Sequence, residues 1–320
     1  MKAIIVREFG AAEVMRLEEL STPEPNENQV LVQIKAAGVN PVDTYIRSGT
    51  YAQKPNLPYT PGKDGAGVVE KTGANVTKFK AGDRVLTADA GSGTYAEFAV
   101  FDEKNLIKLP ENVSFEEGAG VFVPFATAYR ALFQKAHAKS GETVLVHGAS
   151  GGVGVAAIQW AKNAGLKVIG TAGSEEGKKL VKEQGADFAV DHSAENYLTE
   201  ILNLTNGKGV EIILEMLANV NLQKDFEVLA QFGRISIIGN RGSLEFNPRA
   251  IMGKDASVFG LSLFNAPDDE MNEIHAAIYD GLSAEYLKPI VGKTFPLENA
   301  VEAHRAVIEE KAFGKIVLTT

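Results

Sequence analysis

Thr143-Val-Leu-Val-His-Gly-Ala-Ser-Gly-Gly-Val-Gly154 is an apolar strand that runs straight into a glycine-rich turn and the opening of a helix. The turn reads as G-x-G-x-x-G with its first glycine replaced by Ala149. Gly151 then lets the backbone approach a pyrophosphate, and Gly154 lets the helix pack closely on the strand. A glycine turn alone also occurs where a helix merely packs on a strand, so its surroundings decide. Further strands are predicted at 166–171, 187–191, 210–214, 234–239 and 256–261, with helices at about 152–164, 175–184, 194–204 and 221–231. That alternation predicts an α/β fold, a doubly wound parallel sheet with helices on both faces. In that setting the turn offers an anion the free N–H groups and positive dipole end of a helix.

Upstream, to about Pro110, the apolar runs are short and broken by Pro23, Pro25, Pro41, Pro55, Pro58, Pro61, Gly62, Gly65, Gly67, Gly82, Gly91 and Gly93. Gln29-Val-Leu-Val-Gln-Ile-Lys-Ala36 and Gly67-Val-Val-Glu70 alternate, and Gly82-Asp-Arg-Val85 turns into a strand, so a β-rich domain closing toward a small barrel is expected. Helical spacing sets in over Glu116–Phe122 and Ala126–Lys135. Downstream, a helix is expected from Asp268 to Gly281, a strand at Lys288–Gly292, a helix at about 298–310 and a last strand at Gly314–Thr319 that returns to the first domain. The division expected is 1–122 with 290–320 for the β-rich domain and 123–289 for the dinucleotide-binding domain.

The chain has 320 residues, 45% hydrophobic and 23% charged, an ordinary balance for a globular protein of two domains. Its formal net charge of -9 argues against nucleic-acid phosphates as partners. The apolar start Met1–Val6 meets Arg7 too soon for a secretory signal, and no window approaches about eighteen uninterrupted apolar residues, so a cytoplasmic protein without membrane contact is expected. It contains no cysteine, which removes disulfides, thiol catalysis and thiolate-bound zinc together. Histidines at 137, 147, 192, 275 and 304 show no metal-binding spacing, so no metal site is expected. His147, inside the first strand of the repeat, reads as a buried residue with a satisfied ring nitrogen.

An NAD-specific site places a carboxylate about twenty residues after the glycine turn, at the end of the next strand. Here that stretch is Thr171-Ala-Gly-Ser174, small and neutral, which leaves room for a 2′-phosphate that Lys178 reaches as a point charge. NADPH is therefore favoured over NADH. Glu175 and Glu176 are the counter-reading, because a small shift in register brings one of them to the ribose; otherwise they decorate the first turn of a helix. His192 follows the third strand, where adenosine rests. Asn40 and Tyr45, in Ala37-Gly-Val-Asn-Pro-Val-Asp-Thr-Tyr-Ile-Arg-Ser-Gly49, read either as a turn cap with a neighbour or as neutral hydrogen-bonding groups for a carbonyl substrate or the nicotinamide.

These segments resemble the medium-chain dehydrogenase/reductase superfamily, and within it the zinc-free, zeta-crystallin-like quinone oxidoreductase branch. The likeness runs in order through Gly38–Tyr51, Pro58–Gly62, Gly82–Val85, Thr127–Leu132, Val144–Gly154, Gly170–Gly173 and Glu215–Leu222. It implies a GroES-like barrel catalytic domain beside a Rossmann domain, with NADPH in the cleft between them. Zinc-dependent relatives offer a cysteine in the segment equivalent to Gly38-Val-Asn40 and a Gly-His-Glu around Pro61-Gly-Lys-Asp-Gly65, where this chain has Asn40 and Lys63-Asp64.

Carried over, the pattern puts Tyr45 near nicotinamide and substrate, Ser150, Gly151, Gly152 and Val153 on the pyrophosphate, and Gly173, Lys178 and His192 around the adenosine phosphate or ribose. Asn221, Ile238, Gly239, Asn240, Arg241, Leu261, Ser262 and Leu263 follow the nicotinamide and its ribose. The implied activity is NADPH-dependent reduction of a quinone without zinc or flavin, over a cleft lined by Asn40, Tyr45 and Thr127. The alternatives are a 2-alkenal or enone reductase on the same cofactor site, and, outside enzymes, an NADPH-binding structural or RNA-binding protein. The branch also implies a homo-oligomer, a dimer or a tetramer, paired through an edge such as Ser257–Phe264.

Overall fold

A computed structural model describes residues 1–88, 92–310 and 312–320. The chain divides into two units, Met1–Val123 with Tyr279–Thr320, and Pro124–Ile278. Unit 1 opens with the antiparallel pair β1 (Lys2–Val6) and β2 (Met15–Glu19). There follow β3 (Gln29–Val39), α1 (Pro41–Ser48), β4 (Asp64–Thr72), β5 (Arg84–Ala88), β6 (Phe98–Asp102), β7 (Leu106–Lys108) and α2 (Phe115–Ala119). Each α1 boundary is written locally: Asn40 has extended backbone, Pro41 supplies a pre-set φ at the first position, and Gly49 takes the left-handed conformation at φ 76° that ends the helix.

Unit 2 contains a parallel β/α series. After α3 (Phe122–Tyr129) and a π-helical turn over Arg130–Lys135 come β8 (Thr143–Val146), α4 (Gly152–Asn163), β9 (Lys167–Ala172), α5 (Glu175–Glu183) and β10 (Phe188–Asp191). Then come α6 (Tyr197–Leu204), β11 (Val210–Glu215), α7 (Ala218–Val228), β12 (Leu229–Ile237), α8 (Arg249–Lys254) and β13 (Ser257–Gly260). The six strands lie in the order β10-β9-β8-β11-β12-β13 with every pair parallel. The order reverses at β8, and ligands of such sheets bind beyond the carboxyl ends of the strands at that reversal. Residues 144–146 and 212–215 are fully buried, as strands covered on both faces must be.

Helix α9 (Asp268–Ser283) leads back into unit 1, which β14 (Val291–Pro296), α10 (Ala300–Glu309) and β15 (Lys315–Thr319) complete. Its seven-stranded sheet runs β14-β15-β3-β4-β5-β7, with β6 also on β3. The return expected of the C-terminal strand is therefore found: β15 pairs antiparallel with β3, Ile316 opposite Val39. Val30, Val32, Ile34, Val85, Phe101, Leu297, Ile316 and Leu318 share one core there.

Element positions depart from expectation where side chains, not apolar periodicity, set the boundary. The strand expected at 288–292 begins at Val291, since Pro289 has no N–H for a ladder. Helix α6 begins at Tyr197 rather than 194, because the Asp191 carboxylate accepts from the Ser193 N–H at 2.9 Å and holds a turn open. Helix α7 spans 218–228 rather than 221–231, because the Glu215 carboxylate accepts from the Leu217 N–H and starts the helix early. Among the described residues no helix is long and apolar enough to cross a membrane.

Candidate active site

The glycine turn is built as read. Gly151 stands at the N-cap of α4, no side chain caps that end, and the first-turn N–H groups that every helix leaves without an internal partner face outward there. A Cβ on Gly154 would lie 2.5 Å from the Ala149 Cα and from the Gly148 carbonyl oxygen, so only glycine lets α4 sit this close to the turn. A Cβ on Gly151 would find its nearest neighbour at 3.4 Å, the Gly148 carbonyl oxygen, so the backbone there is open to a ligand. Ser150, Gly151, Gly152 and Val153 are all partly exposed along this cradle. An uncapped helix end with an open glycine approach fits a pyrophosphate.

At the ends of β9 and β10, Gly173 and His192 come together. A Cβ on Gly173 would lie 2.8 Å from His192 Nε2, which explains the glycine by a close approach that sequence spacing did not reveal. Ser174 caps α5 by accepting from the Gly177 N–H at 3.2 Å, so Glu175 and Glu176 fall in the first helical turn. Lys178 is held by Glu175 at 2.6 Å and faces Asp191 at 3.9 Å. The Glu175 side chain is 85% exposed, and an exposed ion pair of this kind is worth little, so the ammonium can exchange this carboxylate for a phosphate dianion. Thus Lys178 stands in the expected region, with a carboxylate as its present partner.

The segments expected on the nicotinamide side are laced together by hydrogen bonds. Ala218 N–H donates to the Gly239 carbonyl at 3.0 Å, Asn219 N–H to Asn240 Oδ1 at 3.0 Å, and Arg241 N–H to Asn219 Oδ1 at 3.0 Å. Leu261 N–H donates to the Ile237 carbonyl at 3.1 Å, placing Leu261, Ser262 and the buried Leu263 after β13. Beneath them lies a group the sequence reading missed: Glu215, Asp225 and His147, each buried. His147 Nε2 is 2.8 Å from Asp225 Oδ1, and Thr171 Oγ1 is 3.5 Å from Nδ1. The one sequence signal was a glutamate closing the apolar run Val210-Glu-Ile-Ile-Leu-Glu215. These three could in principle hold a cation, their ligand atoms lying within 4.8 Å of one another. The 2.8 Å contact is a hydrogen-bond distance, and a bound proton accounts for it.

In unit 1 Asn40 is tied into a buried polar network. It is buried, its Nδ2 donates to Asp64 Oδ2 at 3.0 Å, and its Oδ1 accepts from the Lys315 ammonium, which also donates to Asp64 Oδ2 at 2.8 Å. Both ends of the amide are thus engaged inside the protein, by Asp64 and Lys315. Asp64 Oδ1 accepts from the Val123 N–H at 2.8 Å. Where the zinc-dependent pattern calls for metal ligands, the cation is an ammonium, already engaged by the available amide and carboxylate. This donor set does not fit zinc, which asks for four convergent N, S or O ligands.

Beside it, Asp43 accepts from the Asn40 N–H at 2.9 Å, Tyr95 donates toward Asp43 at 3.4 Å, and His304 Nε2 lies 3.1 Å from the Tyr95 hydroxyl. Burial raises Asp43 to about 6 and lowers His304 to about 3, so the imidazole there is neutral at physiological pH. Tyr45, partly exposed on α1, remains the substrate-side candidate of this unit. Thr127 is buried in α3, 5% exposed, in unit 2.

A two-domain reductase with a dinucleotide cradle is the class this fold and these residues define. Comparison with known proteins agrees. Residues 26–111 match the alcohol dehydrogenase GroES-like domain and residues 152–278 the zinc-binding dehydrogenase domain. The chain is 49% identical to a human quinone oxidoreductase over 320 residues, covering 99% of this chain and 97% of that one. Among solved structures, an NAD-dependent alcohol dehydrogenase matches with a TM-score of 0.93 at 32% identity, covering all of both chains. The Escherichia coli quinone oxidoreductase complexed with NADPH matches with a TM-score of 0.91 at 30% identity, again covering all of both chains. The chain belongs to the zinc-free quinone oxidoreductase branch of the medium-chain dehydrogenase/reductase superfamily.

Proposed function

We propose that this chain reduces quinones with NADPH, without a metal ion. The observation that carries the reading is the pair of sites in one chain: an uncapped, glycine-opened helix end for a dinucleotide, and an ammonium among the side chains where a catalytic metal would need ligands. NADPH supplies the reducing equivalents when bound. Ser150, Gly151, Gly152 and Val153 hold its pyrophosphate, while Gly173, Lys178 and His192 hold the adenosine end. Asn221, Ile238, Gly239, Asn240, Arg241, Leu261, Ser262 and Leu263 shape the nicotinamide side.

A quinone is already a strong electron acceptor, so orientation and a neutral hydrogen bond from Tyr45 to its carbonyl suffice. Asn40 acts one step removed, tying the start of α1, which carries Tyr45, to Asp64 and Lys315. The test compares kcat/KM for a para-quinone and for an open-chain enone with the same NADPH. Preference for the quinone upholds the reading, and preference for the enone assigns the chain to alkenal reduction instead.

Neutral residues at Thr171-Ala-Gly-Ser174 and a nearby lysine favour NADPH over NADH. Lys178→Ala is expected to weaken NADPH binding about tenfold and leave NADH binding unchanged, as read by calorimetric titration. Equal weakening of both cofactors would remove Lys178 from the 2′-phosphate site. We place the protein in the cytoplasm as a homo-oligomer. The last strand of the six-strand order, β13, offers the edge for pairing between copies.

A further inference from the structure

Glu215 holds the nicotinamide side of the cofactor site from below. Its backbone carbonyl accepts from the Ile238 N–H at 2.8 Å and the Gly239 N–H at 3.2 Å. Its side-chain Oε1 accepts from the Leu217 N–H and from Asn221 Nδ2 at 3.2 Å. One residue thereby ties down three of the positions assigned to the nicotinamide and its ribose: Asn221, Ile238 and Gly239.

The other oxygen poses a problem of chemistry. Glu215 Oε2 and Asp225 Oδ2 both lack an N–H or hydroxyl donor among the described residues, although both side chains are wholly buried. Two unpaired carboxylates in such a place cost several kcal/mol each in lost hydration. Ligand atoms of Glu215, Asp225 and His147 all lie within 4.8 Å of one another, and His147 Nε2 lies 2.8 Å from Asp225 Oδ1 and 3.5 Å from Glu215 Oε2. A proton on Glu215 Oε2 donated to Asp225 satisfies both oxygens at once. It leaves a single negative charge facing the N–H of a neutral His147.

We propose that Glu215 is a positioning residue for cofactor binding, and that its carboxyl, protonated and hydrogen-bonded to Asp225, keeps the Leu217–Asn221 and Ile238–Gly239 segments in their binding arrangement. The inference rests on the NADPH reading above. The groups facing this pair are His147 from the end of β8, with Thr171 of β9 behind it, Tyr197 from α6, and Glu227 close to Tyr197 on α7. Burial raises Glu215 to about 7, with the Asp225 charge adding to the rise, and burial likewise raises Asp225.

Burial lowers the His147 pKa, which keeps the imidazole neutral. Both carboxyls hold protons more tightly in the folded chain than in the unfolded one, where they titrate near about 4. Their contribution to stability is therefore complete below about pH 4 and is lost as pH rises through about 7. Above that pH the two carboxylates repel, and the contact between the end of β11 and α7 loosens.

The experiment is calorimetric titration of NADPH at pH 6 and pH 8 into the wild type and into Glu215→Gln. Glutamine keeps the acceptor toward Leu217 and Asn221 and gives Asp225 an N–H in place of the proton. The wild-type Kd is expected to rise about tenfold from pH 6 to pH 8, as the binding-competent fraction falls around a midpoint near 7. The ratio of wild-type to Glu215→Gln Kd, in which titration of the ligand's own phosphate cancels, should go from about one to about ten. A ratio that stays constant between the two pH values overturns the inference. If Glu215→Gln does not fold, as judged by circular dichroism, Asp225→Asn supplies the same N–H from the opposite side and is read by the same ratio. A wild type that binds no NADPH at either pH overturns the cofactor reading, and the inference with it.

Discussion

Lys315→Met is expected to destabilise the protein by about 3–5 kcal/mol, because it leaves the wholly buried Asp64 carboxylate without its cation. Methionine nearly matches the lysine stem in length, so the loss falls on charge pairing rather than on volume. The Asn40 side chain loses a donor at the same time, and with it the tie that holds the start of α1. In a thermal melt the apparent Tm should fall by roughly 10 °C. Asp64→Asn combined with Lys315→Met removes both charges and should recover much of that loss, since a buried pair replaced by neutral groups costs far less than a broken one. A single variant as stable as the wild type would mean that the ammonium is not buried against Asp64 in solution.

Gly154→Val is expected to abolish NADPH binding, with Kd raised by about a hundredfold or more. The new side chain begins 2.5 Å from backbone atoms of Gly148 and Ala149, which cannot move without displacing the turn itself. Helix α4 must shift away from the turn, and the donors of its first turn leave the pyrophosphate. Overpacking a rigid site also costs about 1–3 kcal/mol of stability, so a modest drop in Tm should accompany the lost binding. Gly207→Val is the control, because a Cβ there meets nothing within 4 Å, though its φ of 76° carries a local strain of its own. If Gly154→Val bound NADPH as the wild type does, the turn would not be the pyrophosphate site.

What the sequence told, it told through the backbone. The parallel series was legible because its central strands are buried on both faces, so runs such as Thr143–Val146 and Val210–Glu215 stand out as short apolar blocks between helical stretches. The glycine turn was legible because a close backbone approach excludes side chains at fixed offsets. Buried polar networks left much weaker marks. The ties of Asn40 to Asp64 and Lys315 left no mark, because those partners lie 24 and 275 residues away in the chain. Glu215 and Asp225 were silent for the same reason: a shared proton needs two carboxyls to meet in space, and no spacing rule announces it. His147 was read as buried with a satisfied ring nitrogen, and it is. Lys178 was read from its nearness to a small, neutral loop, while Glu175 was read as a rival for the ribose or as decoration of the helix's first turn, and not as the partner of Lys178.

The family description speaks of zinc, whereas the side chains here speak against it, and the two are reconciled by substitution at a few positions within a kept fold. An ammonium among an amide and a carboxylate holds unit 1 together where relatives would bind a metal. Chemistry that needs no Lewis acid is what remains, and quinones suit it.

The most direct measurement is the initial rate of NADPH oxidation with a para-quinone, by protein dialysed against a chelator and by the same protein given back zinc. The chelated protein is expected to turn over the quinone at full rate, added zinc to change nothing, and NADPH to serve better than NADH. Loss of activity on chelation with recovery on adding zinc, or no quinone-dependent oxidation of NADPH at all, would contradict metal-free quinone reduction with NADPH.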